Sequence, residues 1–97
     1  MFIFYSIHYP HPEKEELLVE SMHDYGELMK QQPGNLFQVP YPFKDPEKGT
    51  LMGISIWESR EAFQAALPTL RNARQNSLSQ EWESKPPEVY MLDSTHL

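Results

Sequence analysis

The chain contains no cysteine, only four glycines, eight basic against fourteen acidic residues, and no apolar run long enough to span a bilayer. Each shortage excludes something. Without thiols there is no disulfide, no cysteine nucleophile and no Cys-ligated zinc or iron–sulfur centre. A formal net charge of -6 over 97 residues repels phosphate backbones, so nucleic acid is not an expected partner. No phosphate-binding loop, dinucleotide fingerprint or Gly-x-Ser-x-Gly elbow occurs, which sets aside kinase, Rossmann dehydrogenase and serine-hydrolase readings. The opening residues 1–9 are apolar but lack a basic start and a small-residue cleavage site, so a cytoplasmic protein with no membrane partner is expected. Chemistry falls to His, Tyr, Trp, carboxylates or a bound cofactor; no cofactor motif is present, and no cofactor is expected.

Proline, by contrast, is plentiful, and the nine prolines punctuate a regular pattern. Residues 2–9 are aromatic and β-branched and are closed by Pro10 and Pro12, which predicts a strand. From Glu13 the apolar period changes: Leu18, Met22, Tyr25 and Met29 recur at helical steps, acidic residues crowd the first turn, and Pro33-Gly34 stops the helix near Gln32. Phe37, Val39, Tyr41 and Phe43 alternate with polar residues and with Pro40 and Pro42. Both prolines remove donors from the same side, so this second strand is expected at a sheet edge. Residues 50–58 predict a third strand, and Ser59 caps a helix holding Ala62, Phe63, Ala66 and Leu67. Pro68 predicts a bend and a new, weakly amphipathic helix through Leu70, Ala73, Leu78 and Trp82. Residues 89–92 supply a last short strand.

The order β-α-β-β-α-β is the ferredoxin-like plan, an α+β fold with both helices on one face of a four-stranded antiparallel sheet. One domain over residues 1–97 is expected, with a polar tail from about residue 93. Strand parity puts Phe2 and Phe4 on one face and Ile3, Tyr5, Ile7 and Tyr9 on the other. In the third strand Met52, Ile54 and Ile56 oppose Gly53, Ser55 and Trp57. Two largely apolar faces need two covers, and a homodimer is the ordinary remedy. The face carrying Phe4, Ile54 and Ile56 is expected to meet the second copy.

The run Ser55-Ile56-Trp57-Glu58-Ser59-Arg60-Glu61-Ala62-Phe63 resembles the strand-to-helix signature of the antibiotic-biosynthesis-monooxygenase-like family, the dimeric α/β-barrel proteins. Pro-Glu-Lys-Glu-Glu-Leu after the first strand and Gln-Pro-Gly after the first helix fit the same pattern. The resemblance implies a dimer with sheets packed face to face and, in each subunit, a ligand cavity between sheet and helices. It also implies cofactor-independent oxidation of phenols or quinols, or haem degradation, as activities. The positions matching the family's polar and haem-binding residues differ: Gly53 stands for an asparagine, Phe63 for a tyrosine, Ala66 for a tryptophan, Asn76 for an axial histidine, and Tyr5 for an asparagine. Haem is therefore not an expected ligand.

Candidate substrate-binding residues are Trp57, Tyr5, Met22, Tyr25, Gly53 and Ser55; no catalytic residue is assigned. Trp57 is either a wall for a flat aromatic ligand or a core anchor beneath the second helix. Tyr5 either donates a proton in the cavity or is a core tyrosine with a satisfied hydroxyl. Gly53 and Ser55 are small enough to leave a void beside Trp57, and Met22 with Tyr25 offers an adaptable wall. His8 and His11 lie three apart across Pro10, a poor metal spacing in a strand, so no metal is expected. His23 and Glu27 are placed to pair on the first helix. Three functions compete: a small monooxygenase acting on a phenol or quinol, a non-catalytic homodimer that binds a small hydrophobic ligand, and a structural homodimer with a filled cavity. Convergent titratable groups in the cavity would favour the first.

Overall fold

A computed structural model describes residues 1–74 and 79–96. Leu78 of the second helical stripe and Asn76 lie outside the described residues. The chain runs β1 (Phe2–His8), a 3-10 turn (Pro12–Lys14), α1 (Glu15–Lys30), β2 (Asn35–Gln38), β3 (Phe43–Asp45), β4 (Thr50–Trp57), α2 (Arg60–Arg74), α3 (Ser79–Trp82) and β5 (Glu88–Asp93). The sheet is antiparallel and open, in the order β2-β4-β1-β5, with β3 also paired to β4. This is the expected ferredoxin-like α+β fold, with β1 and β4 central and the proline segment at the edge.

The expected second strand is split in two. Pro40 and Pro42 cannot donate to a ladder, so pairing with β4 stops after Val39, whose N–H reaches the Ile54 carbonyl at 3.1 Å, and resumes at Phe43. The gap is tied to α1 from the other side. His23 Nδ1 bonds the Pro40 carbonyl at 2.6 Å, and its ring stacks on Tyr41 with centroids 4.1 Å apart. His23 is thus engaged by the loop, where the sequence suggests Glu27.

The helix beginning after Ser59 does not end at Pro68. Ser59 Oγ accepts the Ala62 N–H at 3.1 Å as the expected cap, and α2 continues through the proline to Arg74. Phe63 and Ala66 before Pro68 and Leu70 after it are all buried on one face. Packing on both sides holds the helix across a residue that removes one of its hydrogen bonds. The core gathers Phe2, Met29, Trp57, Phe63, Ala66 and Leu70 between the sheet and the two long helices. Gly34, at φ +87, makes the turn into β2; a Cβ there would come within 2.6 Å of Ala62.

Register corrects the assignment of faces. Phe2 stands opposite Trp57, Phe4 opposite Ser55, Ser6 opposite Gly53 and His8 opposite Leu51. Residues directly opposite in an antiparallel ladder share a face. Phe4 therefore lies on the helix side, 4.9 Å from Phe63 between ring centroids, and not with Ile54 and Ile56. Tyr5 pairs with Ile54 and Tyr90 on the open face, where its ring stacks on Tyr90 at 4.7 Å. The open face also carries Ile3, Ile7, Met52 and Ile56, with Phe37 and Phe43 exposed at its edge.

Candidate functional site

Along the helix-side face of β1 the side chains change character: Phe2 and Phe4 are aromatic, Ser6 and His8 polar. The facing positions of β4 change with them, from Trp57 and Ser55 to Gly53. Where the aromatic residues stand, α2 fills the space; where the small and polar ones stand, a cavity of about 590 Å³ opens between the sheet and α1. That volume suits a small organic ligand. Its walls include Phe4, Leu18, Met22, Tyr25, Met29, Gly53, Ser55 and Trp82.

Of the six sequence candidates, Met22, Tyr25, Gly53 and Ser55 border this cavity. Gly53 sets its depth: a Cβ there would stand 3.1 Å from the Met22 methyl and 3.7 Å from Ser6 Oγ. Trp57 and Tyr5 are elsewhere. Trp57 is fully buried, donates its indole N–H to Ser55 Oγ at 2.9 Å, and meets Phe63 edge to face at 5.4 Å, the arrangement of a core anchor. Tyr5 is on the opposite side of the sheet.

The titratable centre of the cavity is one that spacing does not reveal. His8 is buried, its Nδ1 lies 3.1 Å from Glu83 Oε1, and its Nε2 lies 3.0 Å from Ser6 Oγ. Glu83, itself buried, also accepts the Tyr9 N–H at 3.0 Å. Two backbone bonds bring it there. His11 donates to the Trp82 carbonyl and Ser84 to the Tyr9 carbonyl, each at 2.8 Å, stitching the segment after α3 across the end of β1. A carboxylate only accepts, so His8 carries its proton on Nδ1 and presents the Nε2 lone pair to Ser6 and the cavity. Burial pushes the His8 pKa below its ordinary value, against the opposing pull of Glu83 and with a small push from Arg74. The imidazole is thus neutral at pH 7, a base held in one tautomer.

Three other polar groups reach the same space. The Arg74 guanidinium lies over the Tyr25 ring, 5.1 Å from its centroid, and burial raises the Tyr25 pKa. Gln38 borders the cavity, and its Oε1 is buried with no hydrogen-bond partner among the described residues. His8 has both ring nitrogens engaged and does not join His11. Among the described residues no group of three His, Asp or Glu side chains is placed to hold a metal ion. None of the described helices is long and apolar enough to cross a membrane.

No family model matches the chain and no curated protein matches it in sequence. Solved structures do match in shape. Rv0793 from Mycobacterium tuberculosis superposes with a TM-score of 0.76 at 18% identity, over 96% of this chain and 93% of its own. An antibiotic biosynthesis monooxygenase gives 0.78 at 20% identity, over 97% and 98%. SnoaB, a cofactor-independent oxygenase from Streptomyces nogalater, gives 0.75 at 15% identity, over 99% and 90%.

Proposed function

With the fold of the antibiotic biosynthesis monooxygenases as premise, we propose that this chain is a small cofactor-independent monooxygenase acting on a phenol or quinol. The observation that carries the reading is the neutral His8, held by Glu83 and facing a largely apolar cavity. An electron-rich phenol needs only to lose a proton before it can reduce O2 itself. His8 Nε2 accepts the phenolic proton, and the phenolate, through its ring carbon, passes electrons to O2 and forms a carbon–oxygen bond. The protonated imidazole of His8 returns its proton to the peroxide oxygen, and the ring hydroperoxide then loses the hydrogen of the same ring carbon and its outer hydroxide as water, which leaves a quinone. One oxygen atom ends in the product and one in water, and both electrons for the latter come from the substrate. Met22, on the cavity wall, adapts to the ring.

The proposed enzyme is a homodimer formed through the open sheet face. Ile3, Ile7, Met52, Ile54 and Ile56 make a contiguous apolar surface on the two central strands, and none of the described helices covers it. Oxygen uptake with a panel of phenols and quinols tests the chemistry. Wild-type protein should consume O2 and form quinone, and His8→Gln should lose about 10²–10⁴-fold in kcat, the usual contribution of a positioned base. Binding of the same compounds by wild type with no oxygen consumption would replace the oxygenase with a ligand-binding protein.

A further inference from the structure

We propose that the cavity also hydrolyses small apolar carboxylic esters, with Ser6 as nucleophile, His8 as its general base and Glu83 holding the imidazole. The sequence argues against a serine hydrolase because it lacks the strand-to-helix elbow, but a triad is defined by geometry and roles. Here the three groups stand in relay: Ser6 Oγ is 3.0 Å from His8 Nε2, and His8 Nδ1 is 3.1 Å from Glu83 Oε1. Both links are within the reach a nucleophile, base and orienting carboxylate need. Ser6 and His8 are two apart on one strand, so the pleat itself aims both side chains into the cavity.

Two features of the surroundings give the relay something to act on. Gly53, directly opposite Ser6, leaves the space above the hydroxyl free of any side chain of its own, and the nearest neighbour there is the flexible end of Met22. An ester carbonyl reaches Oγ there by displacing the Met22 methyl, the end of a flexible unbranched side chain. Arg74, its guanidinium over the Tyr25 ring, borders the same cavity, and its positive field favours negative charge that develops there.

Ser6 Oγ bonds to the carbonyl carbon while its proton passes to His8 Nε2. The alkoxide or phenoxide leaves with that proton, and the acyl group stays on Ser6. Water gives a proton to His8, its oxygen attacks the acyl carbon, and Ser6 departs as the hydroxyl when the protonated imidazole returns the proton. An alcohol or phenol and a carboxylic acid are released, with no oxidant consumed.

The test uses the full chain, p-nitrophenyl butyrate and a fluorophosphonate probe. Wild type should show a burst of p-nitrophenol equal to the protein present, and intact-mass analysis followed by peptide mapping should place one probe adduct on Ser6. Ser6→Ala should lose the adduct and fall at least 100-fold in kcat/KM. Ser6→Cys, the only thiol in this chain, should recover the burst and hold a stable acyl adduct, which also shows that the cavity is intact. Glu83→Gln should lower kcat with little change in KM. Ester cleavage that persists in Ser6→Ala, or a probe adduct anywhere but Ser6, overturns the proposal. No oxygen is consumed in these assays, so their failure is separate from failure of the oxygenase reading.

Discussion

The two faces of the sheet are built from the same two central strands, yet they are composed differently. The open face is uniform: Ile3, Tyr5 and Ile7 lie across from Ile56, Ile54 and Met52. The helix-side face is graded. At one end Phe2 and Trp57 are fully buried against Phe63; at the other Ser6, His8 and Gly53 leave room that α1 does not fill. A largely apolar face can accept a flat apolar partner, including a second copy, with the Tyr5 hydroxyl the one group of its central strands that asks for a hydrogen bond. A graded face cannot, since its polar end must be satisfied from within. Glu83 satisfies it here, at the cost of burying a carboxylate beside an imidazole. The packed core and the buried His8–Glu83 pair thus occupy opposite ends of one surface.

Trp57→Ala gives the largest expected effect. Removing a fully buried tryptophan typically costs about 3–5 kcal/mol, a large share of the stability of a small domain. A thermal or urea melt should show that loss, or an unfolded chain. Trp57→Phe, a milder change, should remain folded and retain ligand binding, because Trp57 stands outside the cavity. Retained stability with lost binding in Trp57→Phe would move the site to the packed end. Next comes Ile54→Asp on the open face. A carboxylate in the middle of an apolar interface has no partner, so the proposed dimer should dissociate to a folded monomer. Light scattering at micromolar concentration checks it; a wild-type monomer, or an unaffected dimer in Ile54→Asp, would break the contrast between the two faces.

The sequence shows one half of this contrast plainly. Period and punctuation mark the strands, the helix α1, the Ser59 cap and the edge position forced by Pro40 and Pro42. The parity of β4 is legible too, because Gly53, Ser55 and Trp57 differ so clearly from Met52, Ile54 and Ile56. The parity of β1 relative to β4 is not. Both faces of β1 begin with large apolar residues, and a register shift of one residue exchanges Phe4 and Tyr5 between core and surface. Ser6 and His8 are the available signal: two polar residues in alternate positions belong with the small, polar side of β4. The His8–Glu83 pair lies beyond such reading, since the partners are 75 residues apart and meet only through the bridge at Pro10. Pro68 misleads for a related reason, as helix interiors tolerate proline when packing on both sides outweighs one lost bond.

Acid sharpens the comparison further. His8 has a depressed pKa in the folded protein, chiefly through burial, with Glu83 opposing and Arg74 assisting the shift. The unfolded chain takes up this proton near the ordinary value of about 6.5, and the folded chain only at lower pH. Stability from this group is therefore complete above about pH 6.5 and declines as pH falls toward the depressed value. Oxygen uptake should fall over the same lower range as the base becomes protonated. Melts of wild type and His8→Gln from about pH 7.5 to 5 should converge as pH falls if the slope belongs to His8. Parallel curves would assign it elsewhere.

The smallest effect separates the two ends of the graded face most cleanly. Ser59 Oγ accepts the Ala62 N–H at 3.1 Å and so satisfies one of the free donors at the start of α2. That turn of helix covers the packed end, carrying Ala62 and Phe63 onto the Phe2 and Trp57 rings, and is remote in the sheet from Ser6 and His8. Losing a serine cap costs about 1 kcal/mol, so Ser59→Ala should lower the melting temperature by several degrees in a domain of this size. The relay at the other end depends on β1, the segment after α3 and the Glu83 carboxylate, none of which the cap touches. Turnover below the melting range should stay at the wild-type level in Ser59→Ala, with the same dependence on pH. A fall in kcat together with the fall in stability would mean that the packed end and the cavity move as one unit, and the division drawn between them would not hold.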